Sequence, residues 1–176
     1  MQADKFIENK SIILRDVEVD DANFILSLRC DSNKAKFLNK TENNIEQQKE
    51  YIKKYKAKNN EWYFIIENKK HEPLGTVRIY DVINNNDFCW GSWIIKDGAP
   101  VATGIASAVL IYEYAFYKLN FTKVHFDVRK ENRSVRNFHE RFGAECIKEN
   151  KLDSFYIYSK EKYEKIRNRY IKYIPE

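Results

Sequence analysis

Residues 61–119 hold the pattern that most limits the fold. Three segments rich in β-branched and aromatic residues, "EWYFIIEN" (61–68), "PLGTVRIYDV" (73–82) and "DFCWGSWIIK" (87–96), are separated only by "KKHE" and the Asn-rich "INNND". Strands joined by turns this short pair antiparallel, because a parallel return needs a crossover of a dozen or more residues. An apolar helix over 102–118 follows the third strand after a Gly/Pro turn. A meander that feeds a helix in this way predicts an α+β fold.

The flanks extend that reading. "SIILRDV" (11–17) is a strand, and a helix with an acidic cap at Asp20 or Asp21 follows it, with Phe24, Ile25 and Leu28 as its apolar positions. Residues 43–58 place Ile45, Tyr51, Ile52 and Tyr55 among lysines, the pattern of an amphipathic helix. "KVHFDVRKE" (123–131) is a strand, and "SVRNFHERFGA" (134–144) is a short helix stopped by Gly143. Two more strands flank a turn near Asn150–Asp153, and 161–174 closes the chain as a helix. The sheet is therefore mixed and mostly antiparallel, with helices around it. With no repeat and no Pro/Gly/Ser linker, residues 1–176 read as one domain, and 43% hydrophobic content supplies one sizeable core.

The formal charge of +5 suits an anionic small molecule as well as it suits nucleic acid. Nucleic acid is the weaker partner, since the lysines are dispersed among acids and no RNP or zinc-finger motif is present. Cys30, Cys89 and Cys146 are odd in number and lack paired spacing, which predicts a reduced, cytoplasmic setting and no metal. The most apolar long window, 101–119, is broken by Glu113 and Lys118, so no membrane span is expected, and the first residues carry no signal-peptide run. A homodimer is an allowed assembly that nothing in the sequence selects.

Within "KDGAPVATGIA", Gly104 stands in the first turn of the predicted helix, where glycine is costly. The first N–H groups of a helix lack helical partners and carry the positive end of its dipole, so a bare backbone there makes a site for a pyrophosphate. Gly98 and Pro100 shape the turn, and Ala102, Thr103, Ile105 and Ala106 give it small or neutral cover. The competing reading is that Gly104 only lets the helix pack closely on the sheet. The loop is neither a Walker loop nor a dinucleotide fingerprint.

Val101-Ala102-Thr103-Gly104-Ile105-Ala106, taken with "ENRSVRNFHERFGAE", resembles the GNAT N-acetyltransferase family, whose loop pattern is Gln/Arg-x-x-Gly-x-Gly/Ala. Val101 replaces the usual Gln/Arg, which leaves the backbone amides to act there. Asn132, Ser134, Phe138, His139, Arg141 and Gly143 carry the second signature, with Ala144 in place of the common final aromatic. The resemblance spans roughly 11–160 and implies acetyl-CoA as cofactor and a primary amine as acceptor. It also implies that main-chain groups of Trp93, Ile94 and Ile95 meet the pantetheine arm, that Asn132 and Ser134 contact the far side of coenzyme A, and that Phe138 and Arg141 belong to the cofactor site. A plain helix cap is the second reading of Asn132.

Amine attack on a thioester needs a proton acceptor, and the departing sulfur needs a donor. His139 occupies the slot where the family often has a Tyr donor, and it reads either as that catalytic group or as a packed ring. Many relatives place a Glu two residues before the glycine of the fourth strand, and here that position is Cys89. Asp87, His125 and Asp127 are the candidate proton acceptors, each also readable as a structural or surface residue. An acyl-cysteine relay through Cys89 is rejected, since such a Cys is usually a buried apolar group.

The flavour of "WGSWIIKDG" is similar to acetyltransferases acting on nucleotide-linked deoxyamino sugars of surface polysaccharides, and also to ribosomal-protein N-terminal acetyltransferases. On the sugar reading Arg29, Arg78, Tyr80 and Trp90 are substrate contacts, with Arg15, Lys36 and Lys40 as further cations; Trp90 also reads as core. A noncatalytic acyl-CoA sensor is the alternative from another class.

Overall fold

The computed structural model describes residues 4–175. It contains β1 (Phe6–Glu8), β2 (Ile12–Asp16), α1 (Ala22–Arg29), α2 (Ser32–Ala35), α3 (Ile45–Lys56), β3 (Trp62–Asn68), β4 (Pro73–Ile83) and β5 (Asp87–Ile95). Then come α4 (Thr103–Glu113), β6 (Lys123–Arg129), α5 (Arg133–Phe142), β7 (Glu145–Glu149), β8 (Asp153–Ser159) and α6 (Lys160–Arg167). One sheet runs in the order β1-β2-β3-β4-β5-β6-β8-β7. Only β5 and β6 pair in parallel. The expected meander is present as β3-β4-β5.

Strand alternation divides the core. Phe64 and Ile66 of β3 face the larger cluster under α4, while Tyr63 and Ile65 face a smaller one with Val17, Ile25 of α1 and Ile52 of α3. From Ala106 to Glu113 every side chain of α4 is buried, because this helix lies between the sheet and the C-terminal segment. Tyr114 to Lys118 continue it as a wide π turn rather than the even helix expected over 102–118. Buried Glu113 accepts from Tyr163 Oη (2.7 Å) and Arg167 Nε (2.6 Å), which ties α6 to this point.

Three expectations needed correction or addition. The three-residue β1 and the four-residue α2 are too short to show a period. Asp21 does precede α1, but its carboxylate caps no α1 amide; it accepts from the Glu18 N–H (2.7 Å) and from both terminal nitrogens of Arg15 (2.8 Å each). The closing helix ends at Arg167 and gives way to a tighter 3-10 segment, Asn168–Tyr173.

Two irregularities of β5 place the site. Thr76 opposes Ile94 while Arg78 opposes Gly91, so Val77 faces both Ser92 and Trp93, and Ser92 takes a positive φ of 48°. This is a β-bulge, which bends the strand. On its other side β5 pairs with β6 only from Asp87↔Lys123 to Cys89↔His125. Beyond that point the two strands part.

Candidate active site

The parted strands open a cleft of about 190 Å³. Gly91, Ser92 and Trp93 form its β5 wall and Phe126 to Arg129 its β6 wall. Asn132 and His139 of the α5 region close one end, and Tyr80, Arg29 and residues Phe37 to Asn39 close the other. Trp90, Trp93, Asn132, His139, Tyr80 and Arg29, singled out from sequence, thus meet in one place.

The α5 side is where the two motif loops converge. Thr103 N–H donates to Pro100 O (2.9 Å) and Ala106 N–H to Ala102 O (2.9 Å), leaving the Gly104 and Ile105 N–H groups as the orphan donors of the turn. A Cβ built on Gly104 would meet only Trp93 Cζ2, at an ordinary 3.7 Å, and its φ is not positive. Close packing within the protein therefore does not require the glycine, and that reading falls. The Thr103 hydroxyl beside it is buried without a hydrogen-bond partner. Trp93 Nε1 donates to Ser107 Oγ (3.0 Å), which donates to Gly104 O (2.9 Å), so the ring is locked against the helix start. Orphan amides, an orphan hydroxyl and a free strand edge fit a ligand that carries both a pyrophosphate and amide groups.

Other residues assigned to this side are spread along it. Phe138 stacks near Trp93 with centroids 5.0 Å apart. Asn132 accepts from the Val135 N–H (3.4 Å) while lining the cleft, so the cap and the contact are compatible. Ile94 and Ile95 lie farther along the free edge of β5, and Ala102, Ser134 and Arg141 are exposed, outside the cleft walls. Arg141 Nε donates to Asn137 O (3.1 Å) on its own helix.

His139 is 4% exposed among Phe126 (4.2 Å between centroids), Trp90 (5.3 Å) and Phe138 (5.6 Å). Burial alone pushes its pKa down to about 3, and Nδ1 has no partner. The ring is therefore neutral near pH 7, and the expected imidazolium donor is not available there. Trp90 is 4% exposed, so its ring is core and offers no free face for a sugar or base to stack on.

The opposite mouth holds the acceptor-side residues. A Cβ on Gly91 would lie 2.7 Å from the Tyr80 hydroxyl, so the glycine is what lets that hydroxyl cross the strand at the cleft. Burial pushes the Cys89 thiol up to about 12, which keeps it protonated and agrees with rejecting a cysteine relay. Asp87 and His125 do not reach the cleft. His125 Nδ1 bonds Asp87 (2.8 Å) and Nε2 bonds Asp81 (3.0 Å), so each group is occupied by the others. Asp127, one strand repeat beyond His125, does line the cleft.

Arg29 also borders a second cavity of about 250 Å³, lined by Lys40, Gln47, Gln48, Tyr51, Tyr63 and Arg78 together with Thr41 and Glu42. Its Nε donates to Thr41 Oγ1 (2.7 Å) and its Nη2 to Asn39 O (3.4 Å); among the described residues no acid pairs with it. Arg78 donates to Glu61 (3.0 Å) and its guanidinium lies over Tyr51, Tyr63 and Tyr80 at 5.1 to 5.4 Å. Arg15 is structural, held by Asp21 and Glu67, and Lys36 lies over Phe37. The contributions of Phe37 to Asn39 and of Arg129 carried no sequence signal, because an irregular loop and a strand-end cation look like any others.

Comparisons with known proteins agree with this geometry. Residues 11–145 match the model of the acetyltransferase (GNAT) domain. No curated protein matches the chain significantly. Among solved structures, apo FdhC, a nucleotide-linked sugar GNAT, is 36% identical over 96% of this chain and 97% of its own, with a TM-score of 0.87. The spermidine N-acetyltransferase from Vibrio cholerae in complex with CoA and spermine is 22% identical over 88% of this chain and 99% of its own, TM-score 0.75. A GNAT-family acetyltransferase from Bacillus anthracis is 16% identical over 89% and 99%, TM-score 0.75. With the motif loops, the bulged β5 and the parted strands in one cleft, the chain belongs to the GNAT family of N-acetyltransferases.

Proposed function

We propose that the chain acetylates the primary amine of a nucleotide-linked deoxyamino sugar from acetyl-CoA, a step suited to surface-polysaccharide synthesis. The observation that carries this reading is Arg29. It is a guanidinium without an acidic partner among the described residues, placed where the cleft meets a cavity lined by Lys40 and by Arg78, which Glu61 pairs from outside, with Glu42 as the one acid of the lining. Such a lining attracts a diphosphate and repels a polyamine, whose acceptor site would need carboxylates. Exposed Tyr51 gives the same cavity an aromatic wall for a base. The 36% identity to FdhC points the same way.

Acetyl-CoA supplies a thioester whose acyl carbon is open to attack by an amine. On this reading the Gly104 and Ile105 amides hold the pyrophosphate, with Ala102, Thr103 and Ala106 as cover. The free edge at Trp93, Ile94 and Ile95 aligns the pantetheine arm, while Asn132, Ser134, Phe138 and Arg141 flank its far side. His139, neutral and enclosed by aromatic rings, keeps the inner end of the cleft dry and excludes water from the thioester. Tyr80 stays protonated through burial and presents a hydroxyl donor at the acceptor mouth.

Thiol release is measured with nucleoside-diphosphate-linked 3-amino and 4-amino sugars, the same sugars without nucleotide, spermidine and N-terminal peptides. The nucleotide-linked sugars are the expected substrates, and Arg29→Gln raises their KM by about tenfold or more, with the KM for acetyl-CoA unchanged. Preference for spermidine, or equal use of the nucleotide-free sugar, overturns the reading.

A further inference from the structure

The geometry points to Asp127 as the group that takes the proton from the acceptor amine. The inference rests on acetyl transfer to an amine and is independent of which amine is used.

Asp127 is the first acceptor-face residue of β6 beyond its last pair with β5, and it lies across the opening from Gly91 and the Tyr80 hydroxyl. It is the one carboxylate in the cleft wall. Among the described residues its carboxylate makes no ion pair or hydrogen bond with another residue, whereas Asp81 and Asp87 hold His125 and Asp153 holds Arg129 (3.1 Å). The other titratable groups of the wall are unsuited. Tyr80 keeps its proton, the guanidinium groups of Arg29 and Arg129 are donors with no acceptor, and His139 is too weak a base at the far, apolar end.

Desolvation by the cleft, and then the like charge of Asp153, hold the Asp127 carboxyl above its ordinary value, with Arg129 and His125 opposing. His125 and Arg129 flank it on β6, Asp153 and Phe155 face it from β8, Tyr80 and Cys89 lie on the meander side, and Arg29 is across the mouth. A carboxylate held above its ordinary value is a stronger base than an exposed, unperturbed one. One proton passes from the ammonium to Asp127, which is exposed and returns it to solvent. The freed nitrogen lone pair forms the N–C bond to the acyl carbon as the C–S bond breaks. The sulfur keeps that bonding pair and takes the nitrogen's second proton.

Asp127→Asn and Asp127→Glu are compared with wild type over pH 5.5–9.5 on the best amine of the panel above. Asp127→Asn is expected to lose about 100-fold in kcat/KM near neutral pH, mostly in kcat. The loss shrinks as pH rises, because above its own pKa the amine no longer needs an acceptor. The acid limb that the carboxylate sets in wild type is replaced in Asp127→Asn by one at higher pH that follows the amine's own ionisation, and it returns in Asp127→Glu. A loss confined to KM with an unchanged pH profile, or kcat/KM within about threefold of wild type, overturns the inference. If spermidine is used and sugar nucleotides are not, the acceptor reading falls alone and Asp127 is tested on spermidine. A wild-type chain that acetylates no amine overturns both.

Discussion

A methyl group at Gly104 would touch only Trp93 Cζ2, whereas one at Gly91 would strike the Tyr80 hydroxyl at 2.7 Å. The two glycines therefore respond differently to substitution. Gly104→Ala should leave stability unchanged or raise it by about 0.5 to 1 kcal/mol, as alanine does inside helices, while raising the KM for acetyl-CoA. Thermal melts and initial rates on one preparation check both halves. Gly91→Ala should destabilise the protein, and adding Tyr80→Phe should recover much of the loss by removing the clashing oxygen. His139 makes a third residue-scale prediction. Its folded pKa of about 3 lies below the ordinary 6.5, so the unfolded chain binds a proton that the folded one refuses. Stability present above pH 6.5 is then lost as pH falls towards 3, with a slope approaching about 1.4 kcal/mol per pH unit for this group. Across that window the urea midpoint of wild type should fall relative to that of His139→Phe as pH drops, because the variant escapes the loss.

At the scale of elements, the His125 clamp ties the β4–β5 turn to β6 with the opposite sign. Partial burial lowers its pKa, but hydrogen bonds to Asp87 and Asp81 outweigh this, and the net shift is upward. Its contribution is thus full below the ordinary value of 6.5 and fades as pH rises through the folded value. His125→Gln should cost roughly 0.5 kcal/mol near pH 6, the scale of a solvent-screened pair, and less at pH 9. Neither His125 nor Asp87 lines the cleft, so KM values should hold, while loss of the imidazole that opposes the rise at Asp127 should move the acid limb of the rate profile to higher pH. Apart from the short β1 and α2, the element order was legible. The meander, the apolar helix and the strand-helix pair of residues 123–144 each carry a clear period or stop signal, as Gly143 does with its φ of 95°. The π turn after Glu113 was not legible; it begins where a buried carboxylate is held by Tyr163 and Arg167, partners some fifty residues on that local sequence does not show.

On the scale of the whole molecule, the cleft lies between strands joined through only three residue pairs, so a ligand bridging it adds contacts that the protein alone does not make. At about 100 times its Kd, acetyl-CoA should stabilise the fold by about 2.7 kcal/mol, read as a rise in Tm of several degrees. No helix among the described residues is long and apolar enough to cross a membrane.

Local chemistry in the sequence determined the alternating strands, the helix starts and the two motif loops, because periodicity, glycine and capping residues act over a few positions. It also determined that Arg29, Tyr80, Trp93, Asn132 and His139 were worth attention. Only the tertiary structure decided which carboxylate was free. Asp87, His125 and Asp127 are equivalent by strand parity, but pairing across β4, β5 and β6 commits the first two to each other and leaves Asp127 at the point where the sheet opens. Burial is likewise a property of the assembled aromatic cluster, which is why a histidine that reads as a proton donor in sequence is a neutral wall in the fold.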